Sequence, residues 1–151
     1  MKIIVIYDSV FGNTEQIALA IARALNSGNN IETYRVKDVK REHLKNVSLL
    51  VVGSPTRQFR ATPDIGSFLS GLPAESLRGV NVAGFDTRLT LSTIKLRVFR
   101  YIVDKGGYAA RLITEQLVKK GGKLLCPPEG FFVSGEEGPL ETGETDRAGD
   151  W

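Results

Sequence analysis

The stretch Lys2-Ile3-Ile4-Val5-Ile6-Tyr7, running on into Asp8-Ser9-Val10-Phe11-Gly12-Asn13-Thr14, decides how this chain folds. The first part is β-branched and almost unbroken in its apolar character, which suits a strand covered on both faces of a parallel sheet. Beyond the second part, Ile17, Ala18, Ile21, Ala22 and Leu25 recur at helical spacing over residues 14–25. The loop between therefore joins a buried strand to a helix. Gly12 lets its backbone turn tightly and approach a ligand, and Ser9, Asn13 and Thr14 supply short polar side chains. The first N–H groups of the helix lack intrahelical partners and carry the positive end of its dipole. Such a loop is suited to an anion, above all a phosphate. The plainer alternative is a capped helix following a strand. Gly12 stands alone, so the loop is neither a G-x-G-x-x-G turn nor a P-loop.

Outward from this loop, strand and helix patterns alternate. Asn26-Ser27-Gly28-Asn29-Asn30 ends the helix with residues that favour turns. Residues 31–36 alternate apolar and polar like a strand near an edge, and a short charged helix is expected around 40–45. Ser48-Leu49-Leu50-Val51-Val52-Gly53 is a second fully apolar strand. Thr62 and Pro63 open a helix as N-cap and first-turn residue. Residues 80–85 form a fourth strand, 91–103 an amphipathic helix ended by Gly106-Gly107, and 109–119 a further helix. The last strand lies within 123–133, interrupted by Pro127-Pro128, and a final helix begins at Glu144. This order predicts an α/β fold, a three-layer doubly wound sheet of five parallel strands. Neither an internal repeat nor a linker divides it, so residues 1–151 read as one domain. In open sheets of this kind ligands sit beyond the carboxyl ends of the strands. Loops 8–14, 53–62 and 86–90 are thus the site by position.

Composition narrows the function classes. The hydrophobic fraction of 42% supports one core, and no apolar run reaches the roughly 20 residues of a spanning helix. With no signal-peptide pattern at the N-terminus, a cytoplasmic protein without an integral membrane segment is expected. The single cysteine, Cys126, and single histidine, His43, give no basis for a metal site or a Cys–His nucleophile pair. No catalytic constellation appears elsewhere. The net charge of +3 is uneven: residues 1–122 carry 18 of the 20 Lys and Arg, while the remainder is acidic. A basic body favours an acidic partner or an anionic ligand, but no aromatic–basic interleaving points to nucleic acid.

Tyr7-Asp8-Ser9-Val10-Phe11-Gly12-Asn13-Thr14-Glu15 resembles the FMN-phosphate signature of flavodoxins and flavodoxin domains. Gly53-Ser54-Pro55-Thr56 is similar to the start of their second flavin loop, and Val82-Ala83-Gly84-Phe85-Asp86-Thr87-Arg88 to a strand and third loop of one subgroup. Phe131-Phe132-Val133, Gly138-Pro139-Leu140 and Gly143-Glu144 resemble that subgroup's end, so the likeness runs over nearly the whole chain. The resemblance implies the strand order 2-1-3-4-5 and FMN as cofactor. It implies that Ser9, Val10, Phe11, Gly12, Asn13 and Thr14 wrap the phosphate. Pro55, Thr56, Arg57, Gln58, Phe59 and Arg60 would border one face or edge of the flavin ring, and Asp86, Thr87 and Arg88 the other. Phe11 stands where many flavodoxins have Thr. Phe59 is the candidate stacking aromatic, and the third loop offers none before Tyr101 or Tyr108. Flavodoxins usually surround the flavin with acids, whereas Arg57, Arg60 and Arg88 imply a higher potential here.

The leading expectation is an FMN-binding electron carrier or redox module that serves a redox protein partner or a small-molecule acceptor, as a monomer or a homodimer. One alternative is an NAD(P)H-dependent FMN oxidoreductase acting on a quinone-type acceptor. Another is a flavodoxin-like domain without flavin that serves in binding or regulation.

Overall fold

The computed structural model describes residues 1–56, 60–89, 108–135 and 137–151. Arg57, Gln58 and Phe59, and the helix expected over 91–103, lie outside the described residues. The elements are β1 (Lys2–Tyr7), α1 (Asn13–Leu25), β2 (Asn30–Arg35), β3 (Leu49–Pro55), α2 (Pro63–Gly71), β4 (Asn81–Leu89), α3 (Ala109–Lys119), β5 (Lys123–Leu124), β6 (Glu129–Val133) and α4 (Glu144–Asp150). Between β2 and β3 the expected short charged helix is a pair of 3₁₀ turns, Val36–Asp38 and Arg41–Leu44. His43 caps the second turn by accepting the Lys40 N–H at 3.0 Å, and its ring stacks on Tyr34 at 4.2 Å.

Among the described residues the named strands pair in parallel, in the order β2-β1-β3-β4-β5, with β6 also beside β4. The fifth position is therefore shared. β5 pairs with Asn81 and Val82 at the start of β4, and β6 with Phe85–Leu89 at its end. Pro127 and Pro128 lie between these pieces. Proline has no N–H to give the ladder, so the strand leaves the sheet and returns.

Alternating side chains send the two faces of the central strands into separate cores. Ile3, Val5, Val51, Ala83 and Phe85 pack with Ile17, Ala18 and Ile21 of α1 and Ala148 of α4. Ile4, Ile6, Leu50, Val52 and Val82 pack with Ile65 and Leu69 of α2 and Ile113 and Leu117 of α3. Each fully buried aliphatic side chain contributes roughly 1.5–3 kcal/mol. Gly53 is required by close approach, because a Cβ there would stand inside the Phe85 ring. Trp151 packs edge-on against Phe85 and Phe131, at 6.2 and 6.0 Å between ring centroids, and so closes the first core. Among the described residues no helix is long and apolar enough to cross a membrane.

Candidate functional site

A cleft of about 660 Å³ opens at the carboxyl ends of β1, β3 and β4. It is lined by Ser9, Val10, Phe11, Asn13 and Thr14 from the first loop and by Pro55, Thr56, Arg60, Ala61 and Pro63 from the second. Thr87, Arg88 and Leu89 of β4 and Val133 of β6 complete it. None of these lining residues is acidic.

The first loop turns on Gly12, whose φ of 90° places it in the left-handed region that suits glycine. Nothing lies within 4 Å of where a Cβ would stand at Gly12. The Ser9 hydroxyl accepts the Gly12 N–H at 3.0 Å and, more weakly, the Glu15 N–H at 3.4 Å. The first amides of α1 have no carbonyl one turn behind them. Val10 and Phe11 are 50% and 45% exposed, so Phe11 stands at the cleft wall rather than under the loop.

Several side chains that the sequence offers as ligand donors are engaged in joining the loops to one another. The Asn13 amide donates to the Glu137 carbonyl at 3.1 Å. Thr14 and Thr87 share a hydrogen bond at 2.8 Å between buried hydroxyls, tying the first loop to the third. The Thr56 hydroxyl accepts the Ala109 N–H at 3.2 Å, and its own N–H donates to the Thr87 carbonyl at 2.9 Å. Asn13, Thr14 and Thr56 thus set the shape of the cleft as well as lining it.

Two residues not expected among the ligand contacts bind the first loop to its neighbours. Asp8 accepts the Ser9 N–H at 2.9 Å and the Thr62 hydroxyl at 2.6 Å, and Thr62 is the N-cap of α2. Arg35, at the end of β2, donates to the Ser9 carbonyl at 2.8 Å and to Glu15 at 2.9 Å. Thr62 was legible as a cap, and Asp8 as part of the signature. Arg35 carried no signal, because only the pairing of β2 with β1 brings it to the loop.

The residues expected in the third loop instead continue β4 to Leu89, and they divide by strand alternation. Thr87 meets Thr14 of α1, while Asp86 and Arg88 lie on the side of α3. Asp86 is fully buried and does not line the cleft. Its carboxylate accepts two hydrogen bonds from Arg88, each at 2.7 Å, and the Ala110 N–H at 2.9 Å. Burial pushes its pKa above the ordinary carboxylate range, against the pull of Arg88 and the Ala110 amide. The Arg88 guanidinium lies 3.7 Å from the centroid of the Tyr108 ring and over Gly130, where any Cβ would collide with it. Arg88 therefore reaches the cleft with its charge already paired. Of the three arginines, Arg57 lies outside the described residues, and Arg60 is exposed on the cleft wall. Among the described residues no group of His, Cys, Asp and Glu is arranged to hold a metal ion.

Residues 4–119 match the family model described as a flavodoxin domain. A coenzyme F420H(2) oxidase of Methanothermobacter marburgensis is 29% identical over 142 residues, which cover 90% of this chain. The chain spans 32% of the length of that curated relative. A flavodoxin from the domain Archaea superposes with a TM-score of 0.73 at 24% identity, covering 99% of this chain and 94% of the other. Flavodoxin 1 from Bacillus cereus gives 0.77 at 19% identity, covering 99% and 93%.

Proposed function

The chain belongs to the flavodoxin domain family of electron-transfer flavoproteins, and from that premise we propose that it binds FMN in the cleft and relays electrons between redox partners. The observation that carries the cofactor is the first loop. It turns on a left-handed Gly12 at the start of α1, with open space beside it, in a cleft whose described lining has no acidic side chain. A dianionic phosphate suits that surrounding. The cleft volume of about 660 Å³ falls within the roughly 300–1,000 Å³ of cofactor sites. Val10, Phe11, Pro55 and Leu89 offer apolar wall for a planar ring system.

In this reading the first-loop amides and the Ser9 hydroxyl hold the phosphate. Pro55, Thr56 and Arg60 border the ring on one side, and Thr87, Arg88 and Leu89 on the other. The flavin supplies one- and two-electron chemistry, and the protein sets its potential and access. The basic charge of residues 1–122 suits an acidic redox protein as partner, and a cytoplasmic location suits such exchange.

Fluorescence titration tests the assignment. FMN is expected to bind at one site and at least about tenfold more tightly than riboflavin, which lacks the phosphate. Equal affinities would remove the phosphate from the first loop. The acid-free lining and exposed Arg60 also favour a second reading, turnover with an anionic nicotinamide donor. NADPH oxidation in the presence of a quinone would establish it, and none under saturating FMN would leave the carrier.

A further inference from the structure

Arg35 stands at the end of the edge strand β2 and is absent from the cleft lining. Its planar fork nonetheless reaches the loop from behind, through Nη1 to the Ser9 carbonyl at 2.8 Å and Nη2 to the Glu15 carboxylate at 2.9 Å. Nη1 also lies 3.7 Å from Asp8 Oδ1, and Asp8 takes the Ser9 N–H on the same side. Ser9 is thus held on every side: its carbonyl by Arg35, its N–H by Asp8, and its hydroxyl oxygen by the Gly12 and Glu15 amides, while the O–H can still donate.

A trans peptide unit is planar, and its C=O and N–H point in opposite directions. Pinning the Ser9 carbonyl toward β2 aims the Val10 N–H the other way, toward the cleft that Ser9 and Val10 line. The same contact holds the negative end of that peptide dipole away from an anion. We propose that Arg35 is a positioning residue for phosphate recognition, acting through the Ser9–Val10 peptide without touching the ligand. The inference rests on the reading that FMN places its phosphate on this loop. Arg35 is matched by the carboxylates of Glu15 and Asp8, so its role is the geometry of the fork rather than attraction of the anion. Lysine keeps the charge but has no rigid fork to hold the carbonyl and the carboxylate together.

The test compares dissociation constants for FMN and riboflavin in the wild type, Arg35→Met and Arg35→Lys, at low and high salt, with thermal melts to confirm folding. Both variants are expected to lose about tenfold in FMN affinity while riboflavin changes by less than about twofold. The loss is expected to persist at high salt, where a purely electrostatic contribution would be screened. Arg35→Lys binding FMN like the wild type would overturn the proposal, as would equal losses for FMN and riboflavin. A wild type that prefers FMN, with variants that keep the full preference, defeats this inference alone. A wild type with no preference defeats the phosphate reading as well. If Arg35→Met fails to fold, Arg35→Lys decides.

Discussion

The first and third loops border the same cleft, and each is braced by an ion-paired arginine in a different setting. Around the first loop Arg35, Asp8 and Glu15 are part-exposed, with side chains 29%, 16% and 38% accessible, and Arg35 and Asp8 hold the backbone of Ser9. Beneath the third, Asp86 is wholly enclosed and grips Arg88 with both carboxylate oxygens. An exposed ion cluster contributes little to stability but can orient a loop. A buried pair contributes little over an apolar replacement, yet losing one partner is costly because the other is stranded. The first region thus fixes the course of the loop backbone. The second is a fixed strut between β4 and α3 on which the cleft wall stands.

The largest effect that would sharpen this contrast is on stability. Asp86→Ala leaves the Arg88 guanidinium uncompensated and is expected to cost about 3–5 kcal/mol in urea denaturation. Replacing the pair together, Asp86→Leu with Arg88→Met, is expected to recover most of that loss. A single variant as stable as wild type would break the comparison. Next comes Gly12→Val, which forces a β-branched residue to the φ of 90° observed there. Strain of about 1–3 kcal/mol should be relieved by rearranging the loop, lowering FMN affinity about a hundredfold in a domain that still melts cooperatively. Thr14→Val lies where the two regions meet. Stranding the buried Thr87 hydroxyl is expected to cost about 1–2 kcal/mol of stability and to weaken FMN binding as well.

The smallest effect comes from a charged cluster outside the described cleft lining, and it calibrates the others. Burial works to raise the pKa of Glu144, but the Arg147 hydrogen bonds, the Phe132 N–H and the Arg147 charge together outweigh it and leave the pKa lowered. The folded state therefore favours the carboxylate. Its stabilising contribution is present at neutral pH and is lost as pH falls below about 4.3 through the depressed folded value. The advantage of wild type over Glu144→Gln in denaturation should shrink across that acid range and stay flat above it.

Much of this was legible in the sequence, for identifiable reasons. The β1–α1 junction could be read because the apolar period switches from continuous to helical on either side of a lone glycine. The parallel order followed from strands separated by helices, together with the resemblance. The interruption of the final strand at Pro127-Pro128 was legible too, but not that its two pieces, β5 and β6, pair with opposite ends of β4. Within the site, residue types gave the loops but not the duty of each side chain. Asn13, Thr14 and Thr56 offer the right donors, yet their partners lie 124, 73 and 53 residues away. The pairing of Asp86 with Arg88 was hidden for another reason: these positions read as a loop, and only the extension of β4 to Leu89 sets the two on one face, covered by α3. Without that pairing the third-loop arginine counts as a free positive charge. With it, Arg60 is the described cleft arginine expected to raise the potential of a bound flavin. Redox titration of Arg60→Ala against Arg88→Met would separate these sources.

Binding of FMN in the cleft at the first loop is read from the visible absorption spectrum of the purified protein, recorded after incubation with excess FMN and desalting. Retention of flavin bands at one equivalent per chain, lost in Gly12→Val, is the expected result. A colourless wild type would contradict the claim and leave the fold to a binding or regulatory role.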